Sequence, residues 1–240
     1  MKDQEAPPRS GPDPKARIGA VQLLELVAFF VFFIALTFLL AGRLDYWPGW
    51  VFNGANILVL SLTAFVLRDR KDLMRERLKP GRGMKTWDKV YFVVSTPLFF
   101  AMFILSVLDG GRFSWSPRVP PAAMVLAAAA YGLGQYVLLR AKAANRFFSS
   151  VVRIQTDRGQ TVCTGGPYRI VRHPGYLGGL IYALATPLLL GSLWGLVPAV
   201  LAMAPLVWRT AMEDRTLRAE LAGYEDYARR VRFKLVPHVW

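Results

Sequence analysis

The stretch LGGLIYALATPLLLGSLWGLVPAVLAMAPLVW, residues 177–208, runs for 32 residues without a charged side chain. A helix crosses the ~30 Å hydrocarbon core of a bilayer in about 20 residues. The stretch is therefore too long for one crossing and short for two. Its interruption at Gly191-Ser192 resolves the mismatch, because a glycine-serine break in an apolar run is a turn signal. It reads as a tight helical hairpin that returns the chain to the side it left. Upstream, Val21–Ala41, Trp47–Leu67, Lys89–Leu108 and Pro121–Leu139 are each long enough to cross alone. The fold class that follows is an all-α integral membrane protein with about six transmembrane helices, the last two forming the hairpin.

Charge orients the hairpin and its neighbours. The chain is 54% apolar yet carries a formal net charge of +14, with a mean hydropathy of +0.31. A nucleic-acid binder is also basic, but it lacks repeated apolar runs of this length. The cations alternate between connections. The N-terminal tail has Lys2, Arg9, Lys15 and Arg17, and the second connection has eight from Arg68 to Lys85. The fourth has seven from Arg140 to Arg172, whereas the first and third share only Arg43, Arg112 and Arg118. Cytoplasmic loops carry the excess of Lys and Arg, so both termini and the fourth connection are placed in the cytoplasm. The first 20 residues are polar and proline-rich, and read as a disordered basic tail, not a signal peptide. Residues 21–120 hold the first membrane helices and residues 121–240 the remainder. After the hairpin, Leu217, Leu221, Tyr224, Ala228 and Val231 recur at steps of three and four. That spacing predicts an amphipathic C-terminal helix over Glu213–Phe233, lying on the cytoplasmic surface or folded back over the bundle.

Topology accounts for most of the arginines but not for GGPYRIVRHPGYLGG, residues 165–179, which opens the hairpin. Gly165-Gly166-Pro167 is a turn, and Pro174 suits the first position of a helix. The proline pushes His173 toward extended geometry. Tyr168, Arg169, Arg172, His173 and Tyr176 crowd titratable and hydrogen-bonding groups into this short connection. A second cluster, WRTAMEDRTLRAEL, residues 208–221, places Arg209 and Glu213 four apart on one helix face. This pair is either an ordinary surface ion pair or a guanidinium and carboxylate facing the His173 loop. A third, YGLGQY, residues 131–136, puts Gly132 and Gly134 on different sides of a span, where either could admit a close backbone or a ligand. Cys163 is the single cysteine, and His173 and His238 are the two histidines. No metal-binding spacing occurs, so no metal is expected. No Walker or Rossmann glycine motif is present either.

These blocks carry a resemblance. TVCTGGPYRIVRHPGYLGG (161–179), RTAMEDRTL (209–217) and YEDYARRV (224–231) resemble, in order and separation, the isoprenylcysteine carboxyl methyltransferases. The phospholipid N-methyltransferases share this C-terminal pattern. The resemblance covers about the last 110 residues, and the first three spans match only as generic membrane helices. It implies S-adenosylmethionine as cofactor, with Gln160, Thr161, Val162 and Cys163 forming one wall largely through backbone groups. Tyr168, His173, Pro174, Gly175 and Tyr176 would form another wall, with Glu213 completing the pocket. Arg209 matches the arginine associated with substrate. Arg209, Glu213 and His173 are the implied catalytic set. Asp214 stands where a second glutamate is usual, and Gln160 replaces a residue that is often histidine. An upstream glutamine contact falls on Arg153 or Gln155. The implied partners are a hydrophobic or lipid-linked methyl acceptor and membrane lipids, with no nucleic acid. O-methylation of an isoprenylcysteine-type carboxylate leads N-methylation of a phospholipid amine. Sterol-type reductases that use NADPH have a similar RHP-x-Y-x-G loop, but their asparagine and acid are replaced here by Gly175 and Gly179. A non-catalytic scaffold or transporter is the remaining alternative.

Overall fold

The computed structural model describes residues 20–69 and 83–240. The expected tail up to residue 19 and the cations from Arg70 to Arg82 lie outside them. Among the described residues the structure is all-helical, with no strand. The helices are α1 (Ala20–Ala41), α2 (Trp47–Val66), α3 (Thr86–Val107), α4 (Pro121–Ala144), α5 (Pro174–Leu189), α6 (Leu196–Glu220) and α7 (Tyr224–Arg230). A π-helical turn, Leu108–Phe113, prolongs α3. Among the described residues, four helical stretches are long and apolar enough to cross a membrane: Trp47–Val66, Thr86–Phe113, Pro121–Ala144 and Leu196–Glu220. Leu39, Val93, Val125 and Leu126 are among the apolar side chains that the bundle leaves exposed, as lipid contact requires.

The hairpin breaks where the glycine signal placed it. Gly191 turns the chain with φ +74°, a conformation that L side chains rarely adopt. Its two arms are unequal. With 16 residues, α5 rises only about 24 Å, while α6 continues for 25 residues, far past Trp208. The expected single helix over Glu213–Phe233 is not formed. Residues 213–220 are the end of α6, Leu221 leaves the helix in an extended conformation, and Gly223 takes φ +80°. Only the seven residues of α7 follow. The apolar stripe is real, but the left-handed glycine bends it: Leu221, Tyr224, Tyr227 and Ala228 are buried against Ala141 and Tyr168. The segment thus folds back onto the bundle.

The tightest helix pair is α4 with α5. A Cβ built at Gly134 would sit 2.7 Å from the Gly178 carbonyl oxygen, and one at Gly178 would sit 2.5 Å from that of Gly134. Both contacts are too short for any side chain, so the two backbones touch there. Gly132, its neighbour in the sequence motif, faces open space. Across the bundle α3 packs on α6.

The bundle has two unlike ends. At one, Tyr46, the π-turn and the hairpin tip interlock. The Tyr46 hydroxyl donates to the Leu190 carbonyl, and Asp109 accepts from Ser116 N (2.8 Å), Ser116 Oγ (2.7 Å) and Ser192 Oγ (2.6 Å). At the other end the long connection 145–173 lies between the Thr86 end of α3, the Glu220 end of α6, and α7. Lys85 N donates to Val152 O (3.3 Å), and Lys85 Nζ pairs with Glu220 (2.7 Å).

Candidate active site

The connection from α4 to α5 begins with its own hydrogen-bond frame. Asn145 Oδ1 accepts from Phe147 N at 2.9 Å and so turns the chain off α4. Gln155 is nearly fully buried and donates from Nε2 to Phe147 O (2.7 Å), while Arg158 Nη1 donates to its Oε1. Gln160 Oε1 accepts from Gln155 N at 2.7 Å. The side chains of Gln155 and Gln160 are thus consumed in shaping the loop, and Gln160 N also donates within it, to Gln155 O at 3.2 Å. Arg153 pairs with Asp157 at 2.8 Å.

This loop, the start of α5, the end of α6 and α7 enclose a cleft of about 810 Å³, mouth included. The cleft brings together residues far apart in sequence: Gln160, Thr161, Val162, Cys163, Tyr168, His173, Gly175, Tyr176 and Glu213 all line it. Arg153 and Gln155 both lie on its wall as well. Pro174 is buried beneath, opening α5 as its first residue. A Cβ at Gly175 would meet the Phe148 ring at 2.8 Å, so any larger residue there must displace that ring.

His173 precedes α5 at φ −124° and ψ 61°, out of the helical region that a following proline disfavours but short of fully extended. Its ring stacks on Tyr176 with centroids 5.7 Å apart. Nδ1 lies 3.7 Å from Glu213 Oε2 and Nε2 lies 3.6 Å from Asp214 Oδ1. Nε2 is buried without a hydrogen bond. The Tyr176 hydroxyl donates to Glu213 Oε2. Burial pushes the Tyr168, Tyr224 and Tyr227 phenols well above their ordinary pKa, so they remain neutral donors. Burial also raises the Cys163 thiol, partly offset by a hydrogen bond from the Gly165 backbone.

Beneath the cleft sits a hub that the sequence did not announce. Arg172 is 4% exposed and forks onto Asp214, Nε to Oδ1 at 2.7 Å and Nη2 to Oδ2 at 3.1 Å. Its Nη1 donates to Val231 O (2.8 Å) and Arg232 O (3.0 Å). The backbone continues the clasp, with Arg172 N donating to Phe233 O and His173 N to Lys234 O, both at 2.9 Å. Tyr224 (3.0 Å) and Arg218 (3.2 Å) also donate to Asp214. Asp214, read as a modest departure from a family pattern, is here the anchor of the C-terminal segment.

Arg209 does not pair with Glu213. One turn deeper in α6, its Nε lies 2.8 Å from Asp88 Oδ1, bent from hydrogen-bond alignment, and its Nη2 donates to Asp88 Oδ2 (3.3 Å) and Ser150 O (2.8 Å). Tyr91, Phe92 and Tyr176 surround the guanidinium, with ring centroids 4.4, 5.0 and 5.2 Å from Cζ. Asp88 is fully buried in the first turn of α3 and also accepts from Val152 N at 2.7 Å. Sequence reasoning missed it. Its available signal was a carboxylate at the threshold of an apolar run, a costly place for an unpaired charge.

Comparison with known proteins finds similarity over most of the segments that build the cleft. Residues 122–221 match the model of the phospholipid methyltransferase family. Over that segment the chain is similar to that family. Among curated relatives, protein-S-isoprenylcysteine O-methyltransferase of Schizosaccharomyces pombe is 28% identical over 156 residues, 62% of this chain and 58% of that protein. Probable protein-S-isoprenylcysteine O-methyltransferase of Oryza sativa subsp. indica is 32% identical over 90 residues, 37% of this chain and 47% of that one. Delta(14)-sterol reductase TM7SF2 of Mus musculus is 36% identical over 91 residues, but these are 36% of this chain and 22% of the reductase. The chain spans about half the length of the isoprenylcysteine methyltransferases it matches. The matched segment runs from the start of α4 to Leu221, and so includes the cleft loop, the hairpin, Arg209 and Glu213, but not Asp88.

Proposed function

We propose that the protein transfers a methyl group from S-adenosylmethionine to a carboxylate on a membrane-borne acceptor of isoprenylcysteine type. The observation that carries this reading is the cleft, which gathers one carboxylate, a histidine ring and a turn of backbone at the end of an apolar bundle. The fit to the cofactor is chemical. Glu213 supplies the anion for its ammonium group, and His173 or the backbone amides of the loop supply the polar contact for its carboxylate. The backbone of Gln160–Cys163 and the ring of Tyr168 form the remaining walls. When bound, S-adenosylmethionine supplies an electrophilic methyl group. The protein's contribution is alignment, which is worth roughly 7–11 kcal/mol where a nucleophile is held in line. A carboxylate acceptor needs no general base, and Arg209 is the cation that holds it. An amine acceptor would require proton removal by Glu213 or His173. In this reading about six helices cross the bilayer, with the hairpin as the last two. Both termini face the cytoplasm, and the cleft opens to cytosol on one side and to lipid on the other. Residues 121–240 form the methyltransferase core.

The deciding experiment is equilibrium binding of S-adenosylmethionine to detergent-purified protein, with NADPH alongside. Saturable S-adenosylmethionine binding that weakens in Glu213→Ala and in His173→Ala, with the helical content kept, supports the reading. Unchanged affinity in both variants overturns the site. NADPH binding instead transfers the protein to the reductase reading suggested by its sterol reductase relative.

A further inference from the structure

Arg209 is offered to an acceptor with one edge of its guanidinium already occupied. A guanidinium meets a carboxylate best along its fork, two parallel N–H groups onto two oxygens. Here the Nε and Nη2 edge faces the two oxygens of Asp88, and Nη2 also serves Ser150 O. The remaining nitrogen, Nη1, makes no hydrogen bond among the described residues and is not shut off from solvent. Asp88 cannot yield that edge freely, since it is fully buried and also holds Val152 N. The rings of Tyr91, Phe92 and Tyr176 confine the guanidinium.

We propose that Asp88 is a positioning residue that forces an acceptor carboxylate to bind Arg209 end-on, with one oxygen on Nη1 and the other unshared and facing the methyl donor. The inference rests on the carboxylate reading above and deepens it. A forked grip would engage both oxygens and withdraw charge from each, whereas the end-on grip keeps one oxygen nucleophilic. That oxygen forms a bond to the methyl carbon as the carbon–sulfur bond breaks, and the bonding pair leaves with sulfur. The products are a neutral methyl ester and a neutral thioether, with no proton transferred. Because Asp88 already compensates the Arg209 charge, the acceptor is recognised through one hydrogen bond and its apolar chain more than through net charge.

The test uses the full chain in detergent with N-acetyl-S-farnesylcysteine as acceptor. Asp88→Asn keeps an oxygen for Val152 N but removes the charge that holds the Nε and Nη2 edge of the guanidinium. It should lower the acceptor KM several-fold and lower kcat about tenfold or more, with S-adenosylmethionine affinity unchanged by equilibrium binding. A merely structural role would raise KM or weaken the cofactor. A second measurement needs no variant: the carboxamide analogue should compete with the acid on wild-type protein at an affinity within about tenfold of it, because a single oxygen carries the contact. A KM that rises or holds in Asp88→Asn overturns the inference and leaves methyl transfer standing, as does a carboxamide weaker by about a hundredfold or more. If Asp88→Asn fails to fold, the carboxamide comparison decides. Wild-type protein that binds S-adenosylmethionine but neither binds nor methylates the acid removes the carboxylate reading and this inference together.

Discussion

The two ends of the bundle use polar groups in opposite ways. The end built from Tyr46, Asp109, Ser116 and Ser192 spends its single buried carboxylate on hydroxyl and backbone donors and closes over it. Backbone fills the space that side chains would occupy: a Cβ at Gly110 would come 1.9 Å from the Leu190 oxygen. At the other end, buried arginines and acids are paired across helices, Arg172 with Asp214 and Arg209 with Asp88, around an open cleft. The difference teaches that one end answers a buried charge with an opposite charge, and the other answers it with hydroxyl and backbone donors. Both arrangements bury a charge at a cost in desolvation, which counter-charges or hydrogen bonds offset.

This contrast is open to direct attack. Arg172→Ala should have the largest effect, because it removes the forked partner of Asp214 and releases the segment 231–234. Loss of one partner from a buried pair costs about 3–5 kcal/mol. A large fall in Tm together with lost S-adenosylmethionine binding is the expected result, and a stable variant with normal binding would show the hub to be dispensable. Gly110→Ala should cost about 1–3 kcal/mol through forced backbone movement at the closed end. Cofactor affinity measured below its lowered Tm should stay at the wild-type value, and a parallel loss of affinity would mean that the two ends are not independent. Tyr46→Phe removes one donor from the Leu190 carbonyl, for about 1 kcal/mol and again no change at the cleft. The smallest effect is kinetic. Burial raises the Cys163 pKa, so less thiolate exists at neutral pH than in a free cysteine. Maleimide labelling should be slow, should keep accelerating with pH past the point where a free cysteine levels off, and should slow further when S-adenosylmethionine is present.

Much of the open end was legible in sequence because it is local. The turn at Gly165-Gly166-Pro167, the proline start of α5 and the break at Gly191 are written in residues that restrict the backbone, and the cleft collects the motif around them. What escaped was long-range. Asp88 finds its partner 121 positions away, and nothing in KTWDKVYF distinguishes it from an interfacial acid. The i, i+4 spacing of Arg209 and Glu213 suggested a pair on one face, but a nearer carboxylate from α3 outcompetes it. Periodicity also ran straight through Gly223, since an apolar stripe carries no mark of where the helix axis bends. Gly132 and Gly134 looked equivalent, yet only the surface facing α5 separates a packing glycine from an exposed one.

The Gly134–Gly178 contact has a mechanical consequence. With no side chains between them to slide or change rotamer, α4 and α5 are stiffly coupled at that crossing, and any attempt to part them meets bare backbone. The first turns of α5 carry His173 and Tyr176, so this side of the cleft behaves as a fixed jaw. Entry and exit of a molecule as large as the cleft must then come from compliance elsewhere, in the 145–164 loop and the segment after Gly223. Softness is thereby assigned to the parts held by hydrogen bonds and ion pairs, which break and reform one at a time, and rigidity to the part held by contact alone.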